Sequence, residues 1–248
     1  MLIIITMVIL GLLLGFVGAG GAGVTLAVLV AFFNIPIHVA IGTSLLGLIS
    51  TALFGSISHT REKNIDFKIG SFLGLSGGIG ALIDSFCVKY IPESNLSLLT
   101  SIALISSSII LWIRISIMTN GKEKNLRLKS IILRALFFGI ILGSISGLFG
   151  IASSAFIQIT LLLAFGLDLR KSAGTTMLVI LPISLIGGIG YIANGYIDVL
   201  LLIKVILGTS FGTYIGAKFT NRLSPLILKI AMISVPLIGA IILISTHN

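Results

Sequence analysis

Runs of apolar residues broken by short polar turns divide the chain into ten segments. The first covers 2–17, and after Gly18-Ala19-Gly20-Gly21-Ala22-Gly23 a short run occupies 24–33. Longer runs follow at 38–58, 68–88 and 96–117. The second half gives 131–149, a short run at 151–165, and longer ones at 171–192, 198–217 and 225–244. A membrane-crossing helix needs about 20 residues, which the longer runs supply and the runs 24–33 and 151–165 do not. Each half therefore predicts a broken or short helical hairpin followed by three full transmembrane helices. Whether the short segments cross or only dip into the membrane is left open by their length.

The pattern repeats. Gly42-Thr43-Ser44 near the head of one long run returns as Gly174-Thr175-Thr176 near the head of another, a spacing of 132 residues (174 minus 42). Ile65-Asp66 returns as Ile197-Asp198 at that spacing, and Gly11, Gly15, Gly18 and Gly80 return as Gly143, Gly147, Gly150 and Gly212. Duplication with glycine-broken helices is a pattern of secondary transporters.

Composition rules out a soluble protein. Of 248 residues, 56% are hydrophobic and 9% are charged, with a mean hydropathy of +1.22. A soluble domain carries about 25% charged residues, and so few charges cannot cover its surface. The expected fold is an all-α polytopic membrane protein. Its parts are a first transmembrane repeat at 1–117, a basic linker at 118–130 and a second repeat at 131–248. Cys87 stands alone, so no intramolecular disulfide forms.

Charge then gives the repeat a direction. A hairpin returns the chain to its starting side and three further crossings make the count odd, so the two halves are expected in opposite orientations. The turn after the 38–58 run carries Arg61, Lys63 and Lys68, whereas its counterpart Gly195-Tyr196-Ile197-Asp198 carries no basic residue. The turn Asn34-Ile35-Pro36-Ile37-His38 lacks Lys and Arg, whereas its counterpart has Arg170 and Lys171. With the linker residues Lys122, Lys124, Arg127 and Lys129 in the cytoplasm, nearly every other basic residue joins them, leaving both termini outside. The net charge of +9 thus speaks for topology and lipid rather than nucleic acid.

Candidate substrate contacts cluster at the two breaks. Irregular backbone at membrane depth is tolerated where protein or a water-filled cavity satisfies it. A helix starting there points free N–H groups at an anion. Gly20, Gly21 and Gly23 in the first half, with Gly150, Ser153 and Ser154 in the second, suit a small anion held by backbone N–H groups and hydroxyls. Close helix packing by small residues is the competing reading. Thr43, Ser44, Thr175 and Thr176 add hydroxyls to that site, or merely bond to their own backbone one turn earlier.

His59 and Tyr191, at equivalent positions, read as pathway groups, with His59 able to gate or to carry a proton near neutrality, or as interfacial rings. Asp84 and Gln158 are the remaining polar candidates for the pathway. No carboxylate stands near the centre of a span, which disfavours a carboxylate proton relay. No CxxC or HExxH pattern occurs, and no enzyme, metal or cofactor is expected.

The glycine-rich first hairpin, Ala40-Ile41-Gly42-Thr43-Ser44-Leu45 and His59 resemble the sulfite exporter TauE/SafE family of membrane permeases. So do Gly147-Leu148-Phe149-Gly150-Ile151, Ser172-Ala173-Gly174-Thr175-Thr176 and Gly195-Tyr196-Ile197-Asp198, and the likeness runs over about residues 8–242. The resemblance implies a prokaryotic plasma-membrane permease that moves sulfite, sulfonates or related small anions outward, with proton coupling as an option. Members usually follow the second glycine turn with more glycine and often proline, where this chain has Ile151-Ala152-Ser153-Ser154. A carrier or channel for another small metabolite, and a non-transporting scaffold, are the other readings; oligomeric state is not legible.

Overall fold

The computed structural model describes residues 1–17, 22–117, 127–151, 154–220 and 225–245. Among them are ten helices: α1 (Leu2–Val17), α2 (Ala22–Phe33), α3 (Ile37–Arg61), α4 (Phe67–Cys87), α5 (Glu93–Ile117), α6 (Leu128–Phe149), α7 (Ser154–Leu163), α8 (Leu169–Ala193), α9 (Val199–Thr220) and α10 (Pro225–Ser245). A 3₁₀ turn, Val88–Tyr90, joins α4 to α5. The ten coincide with the ten apolar runs to within a few residues. Helices α3, α4, α5, α6 and α8 each hold a stretch long and apolar enough to cross a membrane. α2 and α7 are short, with 12 and 10 residues. Large apolar side chains including Phe72, Leu75, Ile79, Phe137 and Phe211 are exposed, as on a lipid-facing surface. The chain is an all-α, multi-pass membrane protein.

Lipid tails are as apolar as leucine, so these helices gain little by hiding apolar surface from one another. Close packing must hold them instead, and glycine allows it. On the α1–α9 interface, a Cβ at Gly11 would lie 2.6 Å from the Thr209 carbonyl oxygen, and Gly208 and Gly212 face Met7 and Val8. On the α4–α6 interface, a Cβ at Gly143 would overlap the Gly77 backbone, while Gly139 meets Ser76 and Gly80 meets the Ile140 carbonyl. Residue numbers rise together across both interfaces, so each pair runs parallel. Backbones this close also permit Cα–H···O contacts.

α8 packs on both α3 and α4. It packs antiparallel to α3, where Gly42 meets Tyr191, Gly55 meets Met177 and Gly174 meets His59. It packs parallel to α4, where Gly70 meets Thr175, Gly74 meets Val179 and Pro182, and Gly190 meets Ser85. α10 packs on α2 and α5.

The repeated Ile-Asp pairs turn out to be helix caps. Asp66 Oδ1 accepts the Ile69 N–H at 2.9 Å, and Asp198 Oδ1 accepts the Leu201 N–H at 3.0 Å. The turns before them also match. Asn64 N–H bonds to His59 O at 2.9 Å and Lys63 N–H to Thr60 O at 3.0 Å; Tyr196 N–H bonds to Tyr191 O at 3.0 Å and Gly195 N–H to Ile192 O at 3.1 Å. Both are Schellman-type ends, with Lys63 and Gly195 in the left-handed region.

Candidate functional site

The second-half break is built from three helices. α6 ends at Gly150, whose φ of 62° is the left-handed cap conformation and whose N–H bonds to Ser146 O at 2.9 Å. A Cβ there would stand 2.7 Å from Ile41 Cγ2 and 2.9 Å from Ile41 O of α3, so both conformation and space call for glycine. Ser44 Oγ donates to Ile41 O at 2.9 Å and reaches Gly150 O at 3.4 Å. Two predicted candidates, Ser44 and Gly150, are thus in contact across 106 residues of chain.

Tyr191 completes the arrangement from α8. Its hydroxyl donates to Gly147 O at 2.6 Å and lies 3.4 Å from Leu148 O, satisfying carbonyls that the end of α6 leaves without helical partners. Tyr191 is fully buried, which corrects the interfacial-ring reading: the phenol ties two helices together inside the protein. Replacing Tyr191 with phenylalanine is expected to cost about 1–2 kcal/mol, the upper range for one hydrogen bond inside a membrane protein. A lowered melting temperature in detergent, with the same elution volume, checks it.

α7 begins at Ser154, which is buried; Gln158, one turn further, is buried and partnered. The side chains named here bear hydroxyls and an amide, and the Asp84 carboxylate of α4 lies close enough to act electrostatically on the Tyr191 phenol. At the far end of α7, Arg134 donates to the Ala164 carbonyl, a contact the sequence reading did not foresee.

Gly20, Gly21 and Ser153 lie outside the described residues. Gly23 faces Leu104 of α5, and its carbonyl lies 3.3 Å from where a Cβ on Gly239 of α10 would stand; Leu104 in turn packs in one cluster with Ile151, the residue after Gly150. The hydroxyl candidates divide. Thr175 Oγ1 accepts the Asp66 N–H at 3.0 Å, linking α8 to the start of α4. Thr176 Oγ1 donates to Ser172 O at 2.7 Å, the back-bonding alternative. Thr43 Oγ1 is buried with no hydrogen-bond partner.

His59 Nδ1 stands 3.8 Å from Glu62 Oε2 at the end of α3. Asp84 is half-buried on α4. Ser76, within Gly74-Leu75-Ser76-Gly77-Gly78, is a mid-helix hydroxyl bonded to Ala135 O at 2.6 Å. Among the described residues, no group of three or more His, Cys, Asp or Glu side chains could hold a metal ion.

The model of the sulfite exporter TauE/SafE family matches residues 3–243. The chain belongs to this family. Among its relatives is the probable membrane transporter protein YdhB of Bacillus subtilis (strain 168), 46% identical over 98% of this chain and 100% of the relative. YunE, a probable membrane transporter protein of that organism, is 25% identical over 95% of each chain. A probable membrane transporter protein of Methanocaldococcus jannaschii, MJ0441, is 27% identical over 94% of this TauE/SafE chain and 91% of its own. No solved structure matches the chain.

Proposed function

We propose that this protein is a secondary transporter of a small sulfur-containing anion, such as sulfite or an organosulfonate, working by alternating access around the breaks between α1 and α2 and between α6 and α7. The observation that carries the proposal is the convergence at the second break in a TauE/SafE-family chain. There the capped end of α6 meets the Ile41–Ser44 turn of α3 among hydroxyl-bearing side chains, and α7 starts four residues further on at the buried Ser154. Discontinuous helices are where secondary transporters hold their substrates. The relatives named as probable membrane transporters support the same class.

An inverted repeat of two five-helix halves, 1–117 and 131–248 about a linker at 118–130, underlies the mechanism. Packing supports it. Gly11 with Thr209 and Gly143 with Gly77 are one interface displaced by the repeat spacing, as are Gly212 with Val8 and Gly80 with Ile140. Gly42 with Tyr191 and Gly174 with His59 exchange under the same displacement, as a twofold axis requires. Parallel α1–α9 and α4–α6 pairs fit a chain that reverses direction at every segment. With the linker cytoplasmic and both termini outside, the cell-negative potential favours anion exit by about 2.3 kcal/mol per charge per 100 mV.

The test is flux into proteoliposomes of sulfite, sulfate, taurine, sulfoacetate and thiosulfate under imposed voltage and pH gradients. Saturable flux of at least one anion supports the proposal. Rates equal to protein-free vesicles for all five overturn it.

A further inference from the structure

His38 lies in the first turn of α3 and is nearly buried. Its Nε2 stands 3.2 Å from the Val88 carbonyl oxygen in the 3₁₀ turn after α4. Its Nδ1 stands 3.5 Å from Glu93 Oε1 on the first residue of α5. Its ring stacks on Tyr196, in the turn between α8 and α9, with centroids 4.8 Å apart and planes 25° from parallel. One imidazole therefore bridges three connections at one end of the helix bundle: before α3, between α4 and α5, and between α8 and α9.

The chemistry of its partners is one-sided. A carbonyl oxygen and a carboxylate only accept hydrogen bonds, and a neutral imidazole has a single N–H to give. The imidazolium has two, one for each. The other titratable and charged groups near these contacts on the surrounding elements are Asp84 and Cys87 of α4, Lys89, Tyr90, Tyr191 of α8 and Asp198. The Lys89 ammonium lies 5.1 Å from the Tyr90 ring centroid, and the Asp198 carboxylate caps α9. Among the described residues, Glu93 is the acid that pairs with this histidine.

We infer that His38 is a proton-binding site that latches this end of the transporter: with both ring nitrogens protonated it clamps the α4–α5 turn and α5 to the start of α3 beneath Tyr196, and loss of a proton frees Glu93 or Val88 and loosens the end. The inference rests on the transport reading for its purpose. It moves proton sensitivity from His59, where the sequence suggested it, to a histidine that joins separate helices. The 132-residue counterparts of His38 and Glu93 are Arg170 and Pro225, so the other half does not duplicate the pair. The latch therefore responds to pH on one side of the membrane only.

Two readouts on the full-length protein separate the latch from transport itself. In a Cys87→Ser background, spin labels at Tyr90→Cys and Val199→Cys, both exposed positions, report the distance across this end. In nanodiscs, one narrow distance distribution at pH 5 is expected to give way to a longer or broader one at pH 8. In His38→Gln the distribution should not change with pH. Because His38 is buried and its replacement can disturb folding, Glu93→Gln at an exposed position is the second variant; the difference between its distributions at pH 5 and pH 8 should be less than half the parent's.

Flux of methanesulfonate, whose charge is constant over this range, should change at least threefold between pH 5 and 8 in the parent and less than 1.5-fold in His38→Gln. Distances that ignore pH in the parent, or an undiminished pH response in both variants, would overturn the latch. Absence of sulfonate flux alongside pH-dependent distances would leave the latch standing and count against this anion as substrate.

Discussion

Gly143→Leu is expected to leave almost no folded protein. At this position α6 and α4 meet backbone to backbone, and any Cβ would overlap the Gly77 carbonyl. The neighbouring contacts Gly139 with Ser76, Gly147 with Ala81 and Gly80 with Ile140 allow no local escape, because they fix the same separation along the pair. Leucine must therefore push the helices apart. In lipid no hydrophobic gain offsets the lost packing, since the separated surfaces are covered by acyl chains of similar polarity. Overpacking alone costs about 1–3 kcal/mol, and the lost packing along the pair adds to it.

The expected yield of monodisperse protein by size-exclusion in detergent is below a tenth of the parent's, with Gly143→Ala intermediate. Phe137→Leu, on the exposed side of α6, should behave as the parent does. A well-folded Gly143→Leu would mean that the α4–α6 contact is not what holds this part of the bundle.

Ser154→Leu is expected to act on flux rather than folding. Ser154 is buried at the first position of α7, directly after the break that α6, α3 and α8 frame. A leucine there replaces a small hydroxyl side chain with a bulky apolar one at the start of the short helix. Transport of any accepted anion should fall at least tenfold with the melting temperature within a few degrees of the parent. Ser154→Ala, which removes the hydroxyl alone, should lose roughly fivefold, corresponding to about one hydrogen bond. Unchanged flux in Ser154→Leu would move the substrate elsewhere.

The helices were legible because a membrane demands long apolar runs, and the turns that interrupt them are short and polar. Which face of each helix is buried was not legible. Lipid and protein interior are both apolar, so the pattern that separates core from surface in a soluble protein is missing here. Tyr191 shows the result: its place at the end of a run suggested the headgroup region, yet it is buried against the end of α6.

The repeated motifs were found by spacing, but their roles were mixed. Ile65-Asp66 and Ile197-Asp198 mark caps, and Thr175 serves the backbone of Asp66 rather than standing free. Ser44 and Gly150 were named separately and meet in the fold. His38 went unremarked because its turn was read for missing Lys and Arg. Only the fold brings Val88, Glu93 and Tyr196 around it. A lone imidazole in a turn otherwise without charge was the available signal.

The central claim is that the breaks serve anion movement, and voltage-driven uptake tests it most directly. Purified protein in liposomes, with an inside-positive potential and increasing external sulfite or sulfonate, should give uptake that saturates with concentration, reverses with the potential and falls at least tenfold in Ser154→Leu. Uptake that matches protein-free liposomes at every concentration and potential would contradict the account.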